Sequence, residues 1–237
     1  LMGIAASEPL EIGVRPQFFV DDEVVDNRWE LKGGSMTRQF HAPLKDTANP
    51  LIAGVGGFVY VRRDSDSGRF QMWYQDFWLQ SPKPDLKYTY GIAYAESADG
   101  LSWTLPKLGL HEFRDTTENN IVWLGSNGDR AASPWLLELP DAAAAGGYRY
   151  VMQYKGADGV RLVGSQDGVH WDPGSDRRIA AFHPDTLNTI VHDPALGKYV
   201  MYTRATDRYS DPGERYLSGA TRRVARMESG DLWGTWE

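Results

Sequence analysis

Apolar and polar residues alternate along this chain in short runs, each closed by Gly, Asp or Pro, and one such run returns three times. The copies are Arg69-Phe70-Gln71-Met72-Trp73-Tyr74-Gln75, Arg149-Tyr150-Val151-Met152-Gln153-Tyr154-Lys155 and Lys198-Tyr199-Val200-Met201-Tyr202-Thr203-Arg204. Each opens on a basic residue, then an aromatic, a spacer and Met. Successive side chains of a strand point to opposite faces, so Phe70, Met72 and Tyr74 share one face and Tyr150, Met152 and Tyr154 repeat it. Downstream of each copy lies a turn that ends in Trp: Ser97-Ala98-Asp99-Gly100-Leu101-Ser102-Trp103, Ser165-Gln166-Asp167-Gly168-Val169-His170-Trp171, and a degenerate Ser229-Gly230-Asp231-Leu232-Trp233-Gly234-Thr235-Trp236.

The flanking signals recur in the same order. A strand of mixed polarity precedes each copy, at Gly57 to Arg63, Ala132 to Leu139 and Leu187 to His192. A turn joins it to the copy: Asp64 to Gly68, Pro140 to Gly147 and Asp193 to Gly197. Such Asp/Gly/Pro clusters connect antiparallel strands. A third strand is predicted at Tyr90 to Ser97, Val160 to Ser165 and roughly Ser218 to Met227, then a short outer strand carrying the Trp. Four strands per repeat at this spacing predict blades of a β-propeller. The run Asp141 to Ala145, ended by Gly146-Gly147, is too short for a helix, so the predicted class is all-β. Treated as one domain over 1–237, the chain holds three blades, at about 54–104, 129–173 and 185–237. Propellers close with four to eight, so the expectation is a part of a larger propeller, with Gln17 to Val25 as a candidate closing strand. Missing blades in another segment or chain, or a homo-oligomer, would then cover the open apolar faces.

Composition narrows the function. At 237 residues and 41% apolar the chain can bury a substantial core. Its net charge of -7 argues against nucleic acid or an anionic membrane as partner. It has no cysteine, which excludes disulfides and thiolate chemistry. No run approaches a membrane span. Leu1 to Ser7 reads either as the tail of a signal peptide, which would suit a secreted or periplasmic protein, or as a leader of no consequence. Nine Trp and twelve Tyr suit inter-blade packing and also a sugar-binding surface. The five histidines (His41, His111, His170, His183 and His192) lack a metal-ligand spacing. Neither a phosphate loop nor a nucleophile elbow occurs.

Several segments together resemble uncharacterised bacterial proteins grouped with the five-bladed propeller glycosidases of glycoside hydrolase families 32, 43, 62 and 68. They are Phe18-Phe19-Val20-Asp21-Asp22, Phe70 to Tyr74, Tyr94 to Trp103, Glu118-Asn119-Asn120-Ile121-Val122, and Asp193-Pro194 before Gly197 to Val200. The Ser-x-Asp-Gly-x-x-Trp turn also resembles the Asp-box of sialidases, where Ser97, Asp99, Ser165 and Asp167 would bond their own backbone.

The resemblance implies hydrolysis of a glycosidic bond in an axial funnel, with acidic residues at the starts of the innermost strands. One carboxyl would donate a proton to the leaving oxygen and another would act across the sugar ring. Here the candidates are Asp129, before Arg130, and Asp185, near Asn188; they lie 56 residues apart, one blade length. Where many relatives begin with Asp-Pro this chain has Asn49-Pro50, and an amide cannot act as base or nucleophile. Asp46 or Asp76 would then take that role, or the site works differently; the relatives' general-acid Glu would lie in a blade this sequence lacks. Asp76 follows Gln75 and adjoins Phe77 and Trp78, which would raise its pKa by desolvation. Candidate substrate contacts are Asn49, Trp73 or Trp78 as stacking platforms, Glu96, Arg130, Lys155, Asn188 and Arg204. The expected partner is a carbohydrate. No metal or cofactor is expected, and an axial calcium has no motif behind it. The alternative is a propeller without catalysis that binds carbohydrate or protein, which Asn49 favours and the Asp129 and Asp185 pair opposes.

Overall fold

The alternating runs fold as strands that pair antiparallel with their sequence neighbours. The computed structural model describes residues 39–52, 56–78, 89–113, 115–126, 130–139, 146–182, 187–204 and 224–237. The chain divides into two units, Leu1–Thr47 and Ala48–Glu237. In the first, residues 39–47 are exposed and irregular. In the second, no α-helix occurs among the described residues; the Gln17 to Val25 segment and the run Asp141 to Ala145 lie outside them.

The first sheet contains β1 (Gly57–Arg63), β2 (Phe70–Trp78), β3 (Thr89–Ser97), β4 (Trp103–Thr104) and β5 (Ile121–Trp123), with β4 and β5 both paired to β3. The second is β6 (Ala132–Glu138), β7 (Tyr150–Gly156), β8 (Gly159–Ser165) and β9 (Trp171–Ala180), in that order. The third is β10 (Thr189–Asp193), β11 (Lys198–Thr203) and β12 (Ala225–Ser229). All pairings are antiparallel. These are three propeller blades, and the repeated sequence run forms the second strand of each. The outer strand of the first blade is split: β4 pairs Glu96 and Ser97, β5 pairs Ile92 and Ala93, and the chain makes an excursion between them.

Stacking the blades buries both faces of the middle one. Trp73, Ile92 and Tyr94 from the first blade meet Leu136, Tyr150, Met152, Tyr154 and Val163 from the second. The opposite face, with Leu137, Val151, Val160 and Leu162, meets Ile190, Tyr199, Met201, Leu232 and Trp236 of the third. Two indoles sew the layers together: Trp73 Nε1 donates to the Gly168 carbonyl at 2.7 Å, and Trp135 Nε1 to the Ile190 carbonyl at 2.8 Å. Gly168 has φ +79°, and a Cβ there would lie 2.8 Å from Trp73 Cζ2, so only glycine fits. On the other side of the first blade, Met72, Tyr74, Ala93 and Ala95 pack with Ile52 and Trp103.

The Asp-box turns bond their own backbone, as predicted. Asp99 Oδ1 accepts from the amides of Leu101 and Ser102 at 2.8 and 2.7 Å, and Ser97 Oγ from that of Gly100 at 2.9 Å. Asp167 and Ser165 repeat the pattern with Val169, His170 and Gly168. The Ser102 and Leu101 amides, with the Ser97 hydroxyl, hold the Asp99 carboxyl down at about 2.

Candidate functional site

In each blade the inner strand starts beside the end of the second strand. Gly57 faces Gln75, Ala132 faces Lys155, and Thr189 faces Tyr202. Polar side chains collect at this edge: Gln75, Asp76, Arg130, Ser133, Lys155, Asn188, Thr203 and Arg204. Hydrogen bonds tie the three edges side by side. The Ser133 amide donates to Gln75 Oε1 at 3.1 Å, and the Ala131 amide donates to the Tyr90 carbonyl at 3.1 Å. In the third blade, Thr203 Oγ1 donates to Asn188 Oδ1. With its amide oriented to satisfy both partners, Gln153 donates to the Asn188 main-chain oxygen.

Asp129 and Asp185 lie outside the described residues; Asp129 directly precedes Arg130 and Asp185 is two residues before Leu187. Asp76 is half-buried on β2, opposite Gly91. Burial raises the Tyr74 hydroxyl pKa, the Asn120 amide opposes that shift, and the Asp76 charge adds to it. Arg130 is half-buried with its guanidinium 5.6 Å from the Tyr90 ring centre. Lys155 and Arg204 are half-buried at the ends of β7 and β11, and Asn188 is fully buried. Asn49 is exposed ahead of a cis Pro50. Trp78 ends β2, and its side chain lies outside the described residues.

Three expected ligand contacts are displaced. Asn188 is fully buried and its Oδ1 accepts from Thr203, so it supports the edge from behind. Trp73 is fully buried between blades with its indole N–H committed to Gly168, so it has no ring face to offer a sugar. Glu96 sits opposite Gln71 and Thr104, at the Asp-box end of β3 and therefore at the far end of the strand from Gln75 and Asp76. It forms an ion pair with Arg69 at 3.7 Å.

Sequence reasoning missed a buried polar cluster behind the edge. Asp176 has a side chain only 1% exposed. It accepts from Tyr154 Oη at 2.8 Å, from Arg161 Nε at 3.0 Å and from Ser126 Oγ. Burial raises the Tyr154 pKa and the Asp176 charge raises it further. Burial works against the Arg161 charge, yet Asp176 holds the guanidinium firmly protonated. The register of β9 slips against β8 between Leu162 and Gly164. The turn-forming run Pro173-Gly174-Ser175 marks that bulge and was the available signal. The first blade repeats the device with an amide, where Asn120 Nδ2 donates to Tyr74 Oη at 2.8 Å. Among the described residues no three His, Asp or Glu side chains converge as metal ligands. His111 meets the Val122 carbonyl and His170 meets Asp167.

An edge holding the half-buried cations Arg130, Lys155 and Arg204 and the carboxylate of Asp76 can donate to, and accept from, a ligand rich in hydroxyl groups. No protein-family model and no curated protein matches the chain. Solved structures do. An N-acetylgalactosamine deacetylase from F. plautii, in complex with blood group B trisaccharide, is 14% identical with a TM-score of 0.50, over 80% of this chain and 54% of that one. A glycosyl hydrolase from Bacteroides ovatus is 14% identical, TM-score 0.43, over 76% and 49%. An exo-β-1,3-galactanase from Phanerochaete chrysosporium with β-1,3-galactotriose is 12% identical, TM-score 0.37, over 83% and 52%. The likeness to the deacetylase is one of fold, and this chain spans about half the length of those structures.

Proposed function

We propose that this chain acts on carbohydrate as a glycoside hydrolase, at the edge where the inner strands of its blades begin. The observation that carries the reading is the collection of Asp76, Arg130, Lys155 and Arg204, all half-buried, at that edge, with the buried Asn188 behind them. The chain's likeness in fold to a deacetylase named for N-acetylgalactosamine, and holding a trisaccharide, supports a sugar as the ligand. In the proposed reaction a carboxyl protonates the glycosidic oxygen as its bond to the anomeric carbon breaks. Water supplies the hydroxyl that ends on that carbon, and the second carboxylate acts on the opposite face. Asp129 and Asp185, which precede the inner strands β6 and β10, are proposed for these roles, with Asp76 as third carboxylate. Arg130, Lys155 and Arg204 would bind hydroxyl or carboxylate groups of the sugar.

Asn49, in the place where many relatives have Asp, favours a second reading, a propeller that binds sugar without cleaving it. Incubation with a panel of oligosaccharides and acetylated sugars separates the outcomes. New reducing ends support hydrolysis. Released acetate without new reducing ends, or saturable binding without turnover, overturns it.

A further inference from the structure

From the geometry we infer that Gln75 is a positioning residue of this edge, fixing the start of β6 and with it Arg130. The inference rests on the hydrolase reading for its catalytic consequence and on the following contacts for its structural one.

Gln75 ends the repeated run of the first blade, where the other blades place Lys155 and Arg204. Those two are half-buried, whereas Gln75 is only 6% exposed because its side chain turns into the neighbouring blade. There its Oε1 accepts from the amide of Ser133, which is 1% exposed and has φ +53°. A left-handed backbone at a residue other than glycine is strained and persists only where neighbours enforce it. Ser133 lies in the register shift between Ala132 and Trp135, so the inner strand bends there. Phe58, at φ +46°, makes the corresponding bend at the start of β1.

Other contacts hold the preceding chain. The Ala131 amide is bonded to the Tyr90 carbonyl, and Arg130 lies over the Tyr90 ring. Gly125, at φ +82°, approaches the Arg130 carbonyl so closely that a Cβ would sit 2.7 Å from it. Ser126 is tied to Asp176. Gly125–Ser126 and Arg130–Ser133 are therefore each held in place, and Gln75 supplies the hold on the strand side. That bond needs only an acceptor, so Glu can replace Gln while Met, similar in size, cannot.

The test compares wild type, Gln75→Met and Gln75→Glu by amide hydrogen exchange across 125–133 and by steady-state hydrolysis of the best oligosaccharide from the panel. The expected result is faster exchange in that segment for Gln75→Met alone. It is joined by a loss of kcat and kcat/KM together, by about tenfold or more, as for a misplaced catalytic segment. Gln75→Glu restores both. Unchanged exchange in Gln75→Met, or faster exchange with wild-type kcat, overturns the inference. A wild-type chain that hydrolyses nothing overturns the hydrolase reading instead, while the exchange result still decides whether Gln75 sets the segment.

Discussion

Replacing Trp73 by Phe tests the stacking of the first blade on the second. The indole is fully buried, and its N–H reaches the Gly168 carbonyl at 2.7 Å. The substitution leaves that buried carbonyl unpaired, at about 1–3 kcal/mol. Loss of part of the ring opens a small cavity worth about 1 kcal/mol more. The expected destabilisation is therefore about 2–4 kcal/mol. Gly168→Ala attacks the same contact from the other side, since its Cβ would meet Trp73 Cζ2 at 2.8 Å with φ +79°. It should cost about 1–3 kcal/mol. In the double variant the smaller ring relieves the clash, so the loss should fall short of the sum by about 1 kcal/mol or more. Urea unfolding of the four proteins measures these values, with an unchanged m-value as the check on a common denatured state. A loss below about 0.5 kcal/mol in Trp73→Phe, or additivity within that margin, would refute the packing. Trp73 would then again be open to a ligand.

Asp176→Asn removes the buried carboxylate from the Arg161 guanidinium, leaving only the more exposed Asp158, and should destabilise by about 2–3 kcal/mol, since a buried pair is broken on one side only. Thermal unfolding checks this; an unchanged midpoint would show that Asp158, which also pairs with Arg161, suffices. His111 has its pKa lowered by burial, partly offset by its bond to the Val122 carbonyl. The folded value thus lies below the unfolded one of about 6.5, so stability is full above that pH and declines as pH falls through the folded value. His111→Gln should flatten the loss of urea stability between about pH 7 and pH 5; an identical slope in the variant would contradict it.

The blades were legible because period-two alternation and a repeated Arg/Lys-aromatic-x-Met run are direct consequences of strand geometry. β1, β2 and β3 fall within a residue or a few of the segments read from sequence. β5 was not, since Ile121-Val122-Trp123 has no alternation and joins its sheet only through β3, across the excursion after β4. The same repetition misled on Trp73. A blade in a stack buries both faces, so a Trp on the alternate face looks identical whether it meets a sugar or another blade. Glu96 was read as a substrate contact, but antiparallel register carries it to the Asp-box end. The Asp176 cluster gathers residues from β7, β8, β9 and the segment after β5, a convergence that spacing does not encode. The Gln75 contact likewise spans two blades.

The most direct test of the account is hydrolysis by wild type against Asp129→Asn and Asp185→Asn, with circular dichroism to confirm an intact fold. Wild type should release new reducing ends, and each variant should lose at least about a hundredfold, the scale of a missing general acid or base. Either variant at the wild-type rate would contradict the assignment of the site, and a wild type that binds sugar without cleaving it would contradict the hydrolase reading itself.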